Sequence, residues 1–327
     1  MLKKTSVIFF LNLFILSCSN DIQVEKLNDN VNLSGFNKTK NFTLRAIEEA
    51  KLQPDGQSKF EYKIKLVDEN GKPLVNTIVN FSVEAINPLS GWRDIEEIAK
   101  KYGSSADKVK QRIRNGNIKL IGIVQPKSVK TDNQGYAQTI YTVSDIGSNE
   151  NEKAREKIIA KYNNKFSENI LEIGYNDLIP LPVIDGALRI GDVTGKYIQK
   201  DVGQLLLNMG NKIKNEKWSQ PLTITAGTLK WGGLYPPHFE HRRGGSIDFR
   251  PMSTDGNPTY CNTDGSFAAN YDREKTMQLL KIFNESGAKE IFFNDPEAKK
   301  YGAKALAGHH NHLHVSWLSG ETKILDE

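Results

Sequence analysis

Phe60-Glu61-Tyr62-Lys63-Ile64-Lys65-Leu66 alternates apolar and polar side chains without a break. Successive side chains of a strand point to opposite faces, so this period of two predicts a half-buried strand. Asp68-Glu69-Asn70-Gly71-Lys72-Pro73 follows with residues that tolerate the positive φ of a turn. Ile78-Val79-Asn80-Phe81-Ser82-Val83 then reads as another strand. Further on, Thr131-Asp132-Asn133-Gln134-Gly135-Tyr136-Ala137 leads into Thr139-Ile140-Tyr141-Thr142-Val143. Short strands separated by turns in this way predict an all-β sandwich over residues 41–177.

A stretch at 92–115 interrupts that pattern with a period near 3.6. Ile95, Ile98, Ala99 and Tyr102 share one face, as do Val109 and Ile113, and Asp94 or Ser105 can cap the two helices. Superficially it resembles a DNA-reading helix-turn-helix or a glycan-binding LysM hairpin. It is expected to be a helical insertion that packs onto the sandwich. The turn pair Asp-x-x-Gly-x-Pro and Thr-Asp-x-x-Gly-x-Ala resembles the bacterial Ig-like domains of surface proteins, which implies a spacer or binding module.

Outward toward the amino terminus, Lys3 and Lys4 precede an apolar run over 7–16. The run is too short to span a bilayer, and its positive flank is that of a secretory signal. It ends in Ile15-Leu16-Ser17-Cys18, which resembles the lipobox of bacterial lipoproteins. The resemblance implies a signal peptide at 1–17, acylation of Cys18 and a membrane anchor, with Ser19 pointing to the outer membrane. Residues 18–40 are polar and Asn-rich and are expected to be a tether. A chain exported in this way would have little access to DNA, so no nucleic-acid partner is expected.

The composition agrees with folded domains. Of 327 residues, 25% are charged and 38% hydrophobic, which argues against disorder and against a multi-span membrane protein. The net charge of +5 suits a polyanionic neighbourhood such as a cell wall. Two cysteines cannot form a disulfide framework, and with Cys18 acylated Cys261 is a lone thiol, read as packing.

Toward the carboxyl terminus, Ile179-Pro180-Leu181-Pro182 marks a linker over 178–187. Beyond it Val202, Leu205, Leu206, Met209 and Ile213 recur as one helical face, and Leu222-Thr223-Ile224-Thr225 reads as a strand. A second helix is expected from Arg273 to Ser286, stopped by Gly287. Strands at 290–293 and 312–317 complete an α+β domain over 188–327 with an antiparallel sheet.

All six histidines lie between 238 and 314, in two clusters. One is His238-Phe239-Glu240-His241-Arg242-Arg243-Gly244-Gly245-Ser246-Ile247-Asp248, the other His309-His310-Asn311-His312-Leu313-His314. Zinc takes imidazole nitrogen and carboxylate oxygen, and a catalytic site keeps an open position. Two residues apart in a strand, His312 and His314 are expected on one face. The Gly244-Gly245 step would let the chain turn back so that Asp248 reaches the same ion.

The pattern His-x2-His-x2-Gly-x3-Asp followed by His-x2-His-x-His resembles the penicillin-insensitive murein endopeptidases. It also resembles the wider group of zinc D-Ala-D-Ala carboxypeptidases, dipeptidases and the hedgehog signalling domain. The matching positions are His238, His241, Gly244 and Asp248, then His309, His312 and His314. The resemblance implies Zn2+ held by His241, Asp248 and His314, with His309 and His312 as catalytic groups beside the reacting centre. His238, Arg242 and Arg243 are then expected to orient ligands or hold a substrate carboxylate. Many relatives carry a Glu where His309 stands, and Arg250 replaces the second acid of an Asp-x-Asp pair. The implied substrate is a D-Ala-containing stem peptide or cross-link of peptidoglycan, with endopeptidase action favoured over carboxypeptidase. The alternative is a non-catalytic, zinc-stabilised binding or adhesion lipoprotein.

Overall fold

Strands β1 (Phe42–Leu44), β2 (Lys59–Leu66) and β3 (Ile78–Asn87) open the fold. The alternation at 60–66 does what it predicts: Tyr62, Ile64 and Leu66 are fully buried on one face of β2. Helices α1 (Ile95–Lys101) and α2 (Ala106–Arg114) come next, followed by β4 (Ile123–Gln125), β5 (Ser128–Lys130), β6 (Tyr136–Thr142), β7 (Ala154–Tyr162) and β8 (Lys165–Ile173). Two four-stranded antiparallel sheets result, in the orders β1-β2-β6-β4 and β5-β3-β7-β8. Their inner faces share one core, in which Tyr62, Ile64 and Tyr141 of the first sheet meet Phe81, Ile158 and Leu171 of the second. The Tyr62 and Phe81 rings meet edge-on across it, 6.0 Å apart.

The computed structural model describes residues 42–44, 52–87, 92–149, 152–193 and 195–319. These belong to one unit, Lys38–Glu327. The expected signal peptide, Cys18 and the tether to residue 40 lie outside the described residues. Among the described residues no helix is long and apolar enough to cross a membrane.

The helical insertion lies on the sandwich. Ile98 of α1 and Val109 of α2 enter its core. Asp94 caps α1 by accepting from the amides of Glu96 and Glu97, whereas Ser105 makes no side-chain cap bond. Buried Arg93 ties the base of the insertion to β7 through Glu156, 2.7 Å away.

In the second half come β9 (Leu178–Pro180), β10 (Leu188–Ile190), β11 (Tyr197–Gln199), α3 (Lys200–Asn215), β12 (Leu222–Ala226), β13 (Ser246–Phe249), α4 (Arg273–Glu285), β14 (Glu290–Phe292) and β15 (Leu313–Ser316). Part of the stretch expected as a linker is therefore strand β9, paired with β11. The five-stranded sheet runs β10-β12-β13-β15-β14. It is antiparallel apart from β10, which lies parallel to β12, a departure from the all-antiparallel expectation. The physical reason is the connection: residues 191–221, including α3, carry the chain back to the same end of the sheet, as a parallel crossover requires.

Helices α3 and α4 cover one face. Val202, Leu206, Met209 and Ile213 form the stripe of α3, while Leu280 and Phe283 point inward from α4, against Ile224, Ile247, Phe249, Leu313 and Val315. Burying each such side chain contributes about 1.5–3 kcal/mol relative to exposure. Asp272 caps α4 by accepting from the Lys275 amide, and Gly287 takes φ +86° just beyond its end. The period of two then places Ser246, Asp248, His314 and Ser316 on the opposite face.

Candidate metal centre

On that opposite face the register decides which side chains meet. Ala226 pairs with Asp248, Asp248 with His314, and His314 with Phe292, so these four residues form one row across β12, β13, β15 and β14. Directly opposed side chains in a sheet are near neighbours. His314 Nδ1 lies 3.0 Å from Asp248 Oδ1. Both residues are buried, 1% and 2% exposed.

The segment between β12 and β13 folds over this row. It turns back at Gly244, whose φ of +79° and tight fit make glycine necessary: a Cβ there would lie 2.6 Å from Leu178 and 2.8 Å from the Gln199 nitrogen. The segment delivers three groups. His241 Nε2 sits 3.0 Å from Asp248 Oδ1, and His238 Nδ1 sits 3.2 Å from Asp248 Oδ2. Glu240 Oε2 comes within 3.4 Å of His314 Nε2. Tyr235 stacks near His238, with ring centres 5.0 Å apart, and its hydroxyl accepts from the Gly195 amide.

The second histidine cluster borders the same row. His312 Nε2 is 3.9 Å from Asp248 Oδ2. His312 precedes β15 instead of lying in it, so its closeness comes from the turn before the strand and not from strand alternation. His309 stacks on His312 with ring centres 4.7 Å apart and faces the Phe292 ring at 5.4 Å. His309 and His312 are half-buried, and His310 is exposed.

Among the described residues, two groups of ligand atoms are close enough to hold a metal ion: His238, His241 and Asp248, and Glu240, His309 and His314. The charge pattern suits a cation. Burial raises the Asp248 carboxyl, but the charge of His241 and the hydrogen bonds of His238, His241 and His314 hold it well below the ordinary carboxylate range. Burial lowers His314 and His312 to about 4 against the opposing pull of Asp248, and lowers His309 as well. Neutral imidazoles offer their lone pairs near neutral pH. Buried His314 Nε2 makes no hydrogen bond, although Glu240 stands beside it. In metal sites a carboxylate commonly holds the outer nitrogen of a ligating imidazole. A buried carboxylate, three imidazoles around it and this carboxylate behind His314 therefore fit a bound divalent cation.

Arg242, expected at a substrate carboxylate, is instead 5% exposed and points into the sandwich, where its guanidinium pairs with buried Asp145 and donates to the Pro54 carbonyl. A cation already satisfied by a buried acid is not offered to substrate. Arg243 is half-buried. Glu240, missed by motif reading, is 6% exposed and stands behind His314. Its only sequence signal is an acid between two histidines. Cys261 is buried, and burial pushes its thiol up to about 11.

No family model matches the chain, and no curated protein does. Seventeen chains of solved structures match. The D0–D1 domain of intimin is 13% identical with a TM-score of 0.26, over 46% of this chain and 57% of that one. The Yersinia pseudotuberculosis adhesin InvE is 10% identical with a TM-score of 0.26, over 84% of this chain and 51% of that one. A glycosyl hydrolase family 2 member from Bacteroides cellulosilyticus is 14% identical with a TM-score of 0.26, over 42% of this chain and 14% of that one. The chain thus spans about half of the intimin and adhesin structures. Likeness of this size assigns neither activity nor partner, so the function rests on the chain's own residues.

Proposed function

We propose that the protein is a zinc-dependent peptidase of the bacterial cell envelope that hydrolyses D-Ala-containing amide bonds in peptidoglycan stem peptides or cross-links. The observation that carries the reading is the Asp248 carboxylate, buried and approached by His238, His241 and His314, with half-buried His309 and His312 beside it. His241, Asp248 and His314 would hold the ion, and His238 is near enough to join them. When bound, zinc polarises a scissile carbonyl and activates water.

The chain's own groups supply the rest. His309 and His312, both neutral near pH 7, stand where one can accept a proton and return it to the departing amine while the other donates to the carbonyl oxygen. Glu240, 3.4 Å from His314 Nε2, would hold that imidazole with Nδ1 turned toward Asp248 once His314 binds the ion. No serine nucleophile is needed, so β-lactams leave the activity unchanged. Acylation at Cys18 would hold the catalytic half near the membrane, in reach of the wall.

The test is mass spectrometry of cross-linked and uncross-linked muropeptides after incubation with the purified chain, with and without a chelator. Dimers falling to monomers only without chelator support an endopeptidase, and loss of a terminal D-Ala a carboxypeptidase. Unchanged muropeptides with a bound ion would overturn the peptidase in favour of a metal-stabilised binding protein.

A further inference from the structure

The segment that carries His238, Glu240 and His241 is held by the sandwich as much as by its own sheet. Leu234 and Phe239 belong to the sandwich core and not to the core under α3 and α4. The Phe239 ring meets Tyr102, at the end of α1, edge-on with centres 5.5 Å apart. Backbone joins backbone as well: Gly233 forms a bridge with Ile146, the Leu234 amide donates to the Asp145 carbonyl at 2.8 Å, and the Tyr175 amide donates to the Trp231 carbonyl at 3.0 Å. The approach at Gly147 leaves no room for a side chain, since a Cβ there would lie 2.5 Å from the Gly232 carbonyl oxygen.

Asp145 is the hub of this contact. One carboxylate oxygen accepts from the Lys119 amide, just past the helical insertion, and the other from Arg242, 97 residues away. Arg242 follows His241 directly and lies across the Phe239 ring, its guanidinium carbon 5.8 Å from the centre. The two residues between Leu234–Phe239 and Arg242 are Glu240 and His241, so fixed points on the sandwich flank the metal-facing groups on both sides.

We infer that the sandwich, with its helical insertion, is a structural part of the metal centre, and that Asp145 acting through Arg242 is a positioning residue for His238, Glu240 and His241. The role is independent of whether the substrate is peptidoglycan, and rests on the proposed function only for the presence of a metal. A buried ion pair broken on one side leaves a charge without its partner, so the segment must move to reach water. Outer partners of metal ligands commonly set affinity about 10–100-fold.

The experiment compares the full chain with its Asp145→Asn and Arg242→Met variants and with Leu171→Ala, a core truncation in β8, at 25 °C. Zn2+ affinity is measured by competition with a chromophoric chelator, amide exchange is mapped on the metal-free proteins, and Tm is recorded for each. Expected is an affinity loss of about 10–100-fold in Asp145→Asn and Arg242→Met, with faster exchange over residues 231–242 but not in β12 or β13. Leu171→Ala should lower Tm and leave both readouts at the wild-type value. Equal affinity and exchange in all four proteins overturns the inference, as does an equal affinity loss in Leu171→Ala. Where a single variant fails to fold, Asp145→Leu/Arg242→Met is measured instead; it leaves no lone charge but removes the tie from the Lys119 amide through Asp145 to residue 242, so weaker Zn2+ binding with faster exchange over 231–242 supports the inference and wild-type values overturn it. If the wild type binds no Zn2+, the proposed function falls, and the exchange map alone decides between a segment held by Asp145 and one that is not.

Discussion

Asp248 and His314 are cross-strand partners in β13 and β15, and their side chains meet with Nδ1 of the imidazole 3.0 Å from Oδ1 of the carboxylate. Two rigid strands hold this pair, and the mobile choice of rotamer is removed by burial on both faces. The other imidazoles approach the pair from segments outside the strands.

Asp248→Ala removes the oxygen around which the imidazoles gather. Bound zinc should fall from about one equivalent per chain to near none, and muropeptide hydrolysis with it. Elemental analysis of the purified variant, alongside far-ultraviolet circular dichroism to establish folding, makes the check. Full zinc content in a folded variant would remove Asp248 from the ligand set.

His309→Ala should spare the metal and slow the chemistry. A side chain that carries a proton contributes about 10²–10⁴-fold to rate, so kcat should fall by that amount with zinc content unchanged. Because Glu240, His309 and His314 also lie close enough to share an ion, loss of zinc from this variant would make His309 a ligand instead.

Phe239→Ala tests the join between the halves by stability. The ring is 3% exposed in the sandwich core, and truncating a buried Phe costs about 3–5 kcal/mol through lost transfer energy and the cavity left behind. Urea unfolding should show that loss in the midpoint. A cost below 1 kcal/mol, against the roughly 3–5 expected, would mean the loop repacks without it.

Acid stability should depend on Asp295. Burial raises its carboxyl, but the Tyr271 hydroxyl, the Glu297 amide and the Arg273 guanidinium together hold it below the ordinary range. With the native value depressed, the unfolded chain takes up the proton first. The contribution is therefore present above the ordinary Asp value of about 3.9 and is lost as pH falls through the native value. Thermal melts between about pH 5 and 2 should fall more steeply for the wild type than for Asp295→Asn; parallel curves would contradict this role.

Much of the architecture was legible locally. The alternation of residues 60–66, the stripe of α3 from Val202 to Ile213 and the stop of α4 before Gly287 depend on neighbours a few positions apart, and the elements stand where those patterns put them. The gathering of His238, His241, His312 and His314 near Asp248 was implied by the resemblance of the two histidine clusters, but pairing of β13 with β15 is what brings His314, 66 positions away, to Asp248. His312 falls outside the strand because strand ends depend on pairing partners: β13 pairs β15 only as far as Leu313, opposite Phe249, and β14 only as far as His314.

What the sequence by itself determined is thus the period of each element and the residue types able to bind a cation. Tertiary structure decided their use. Arg242 looks like a surface arginine beside a histidine motif, and only the fold brings Asp145, 97 positions earlier, to its guanidinium. Glu240 carries no local signal for His314, and β10 joins its sheet in parallel only because α3 returns the chain. The physical reason is common to Arg242 and Glu240. Hydrophobic period acts through the nearest turns of chain, whereas a buried charge is satisfied by whichever partner packing delivers, at any separation.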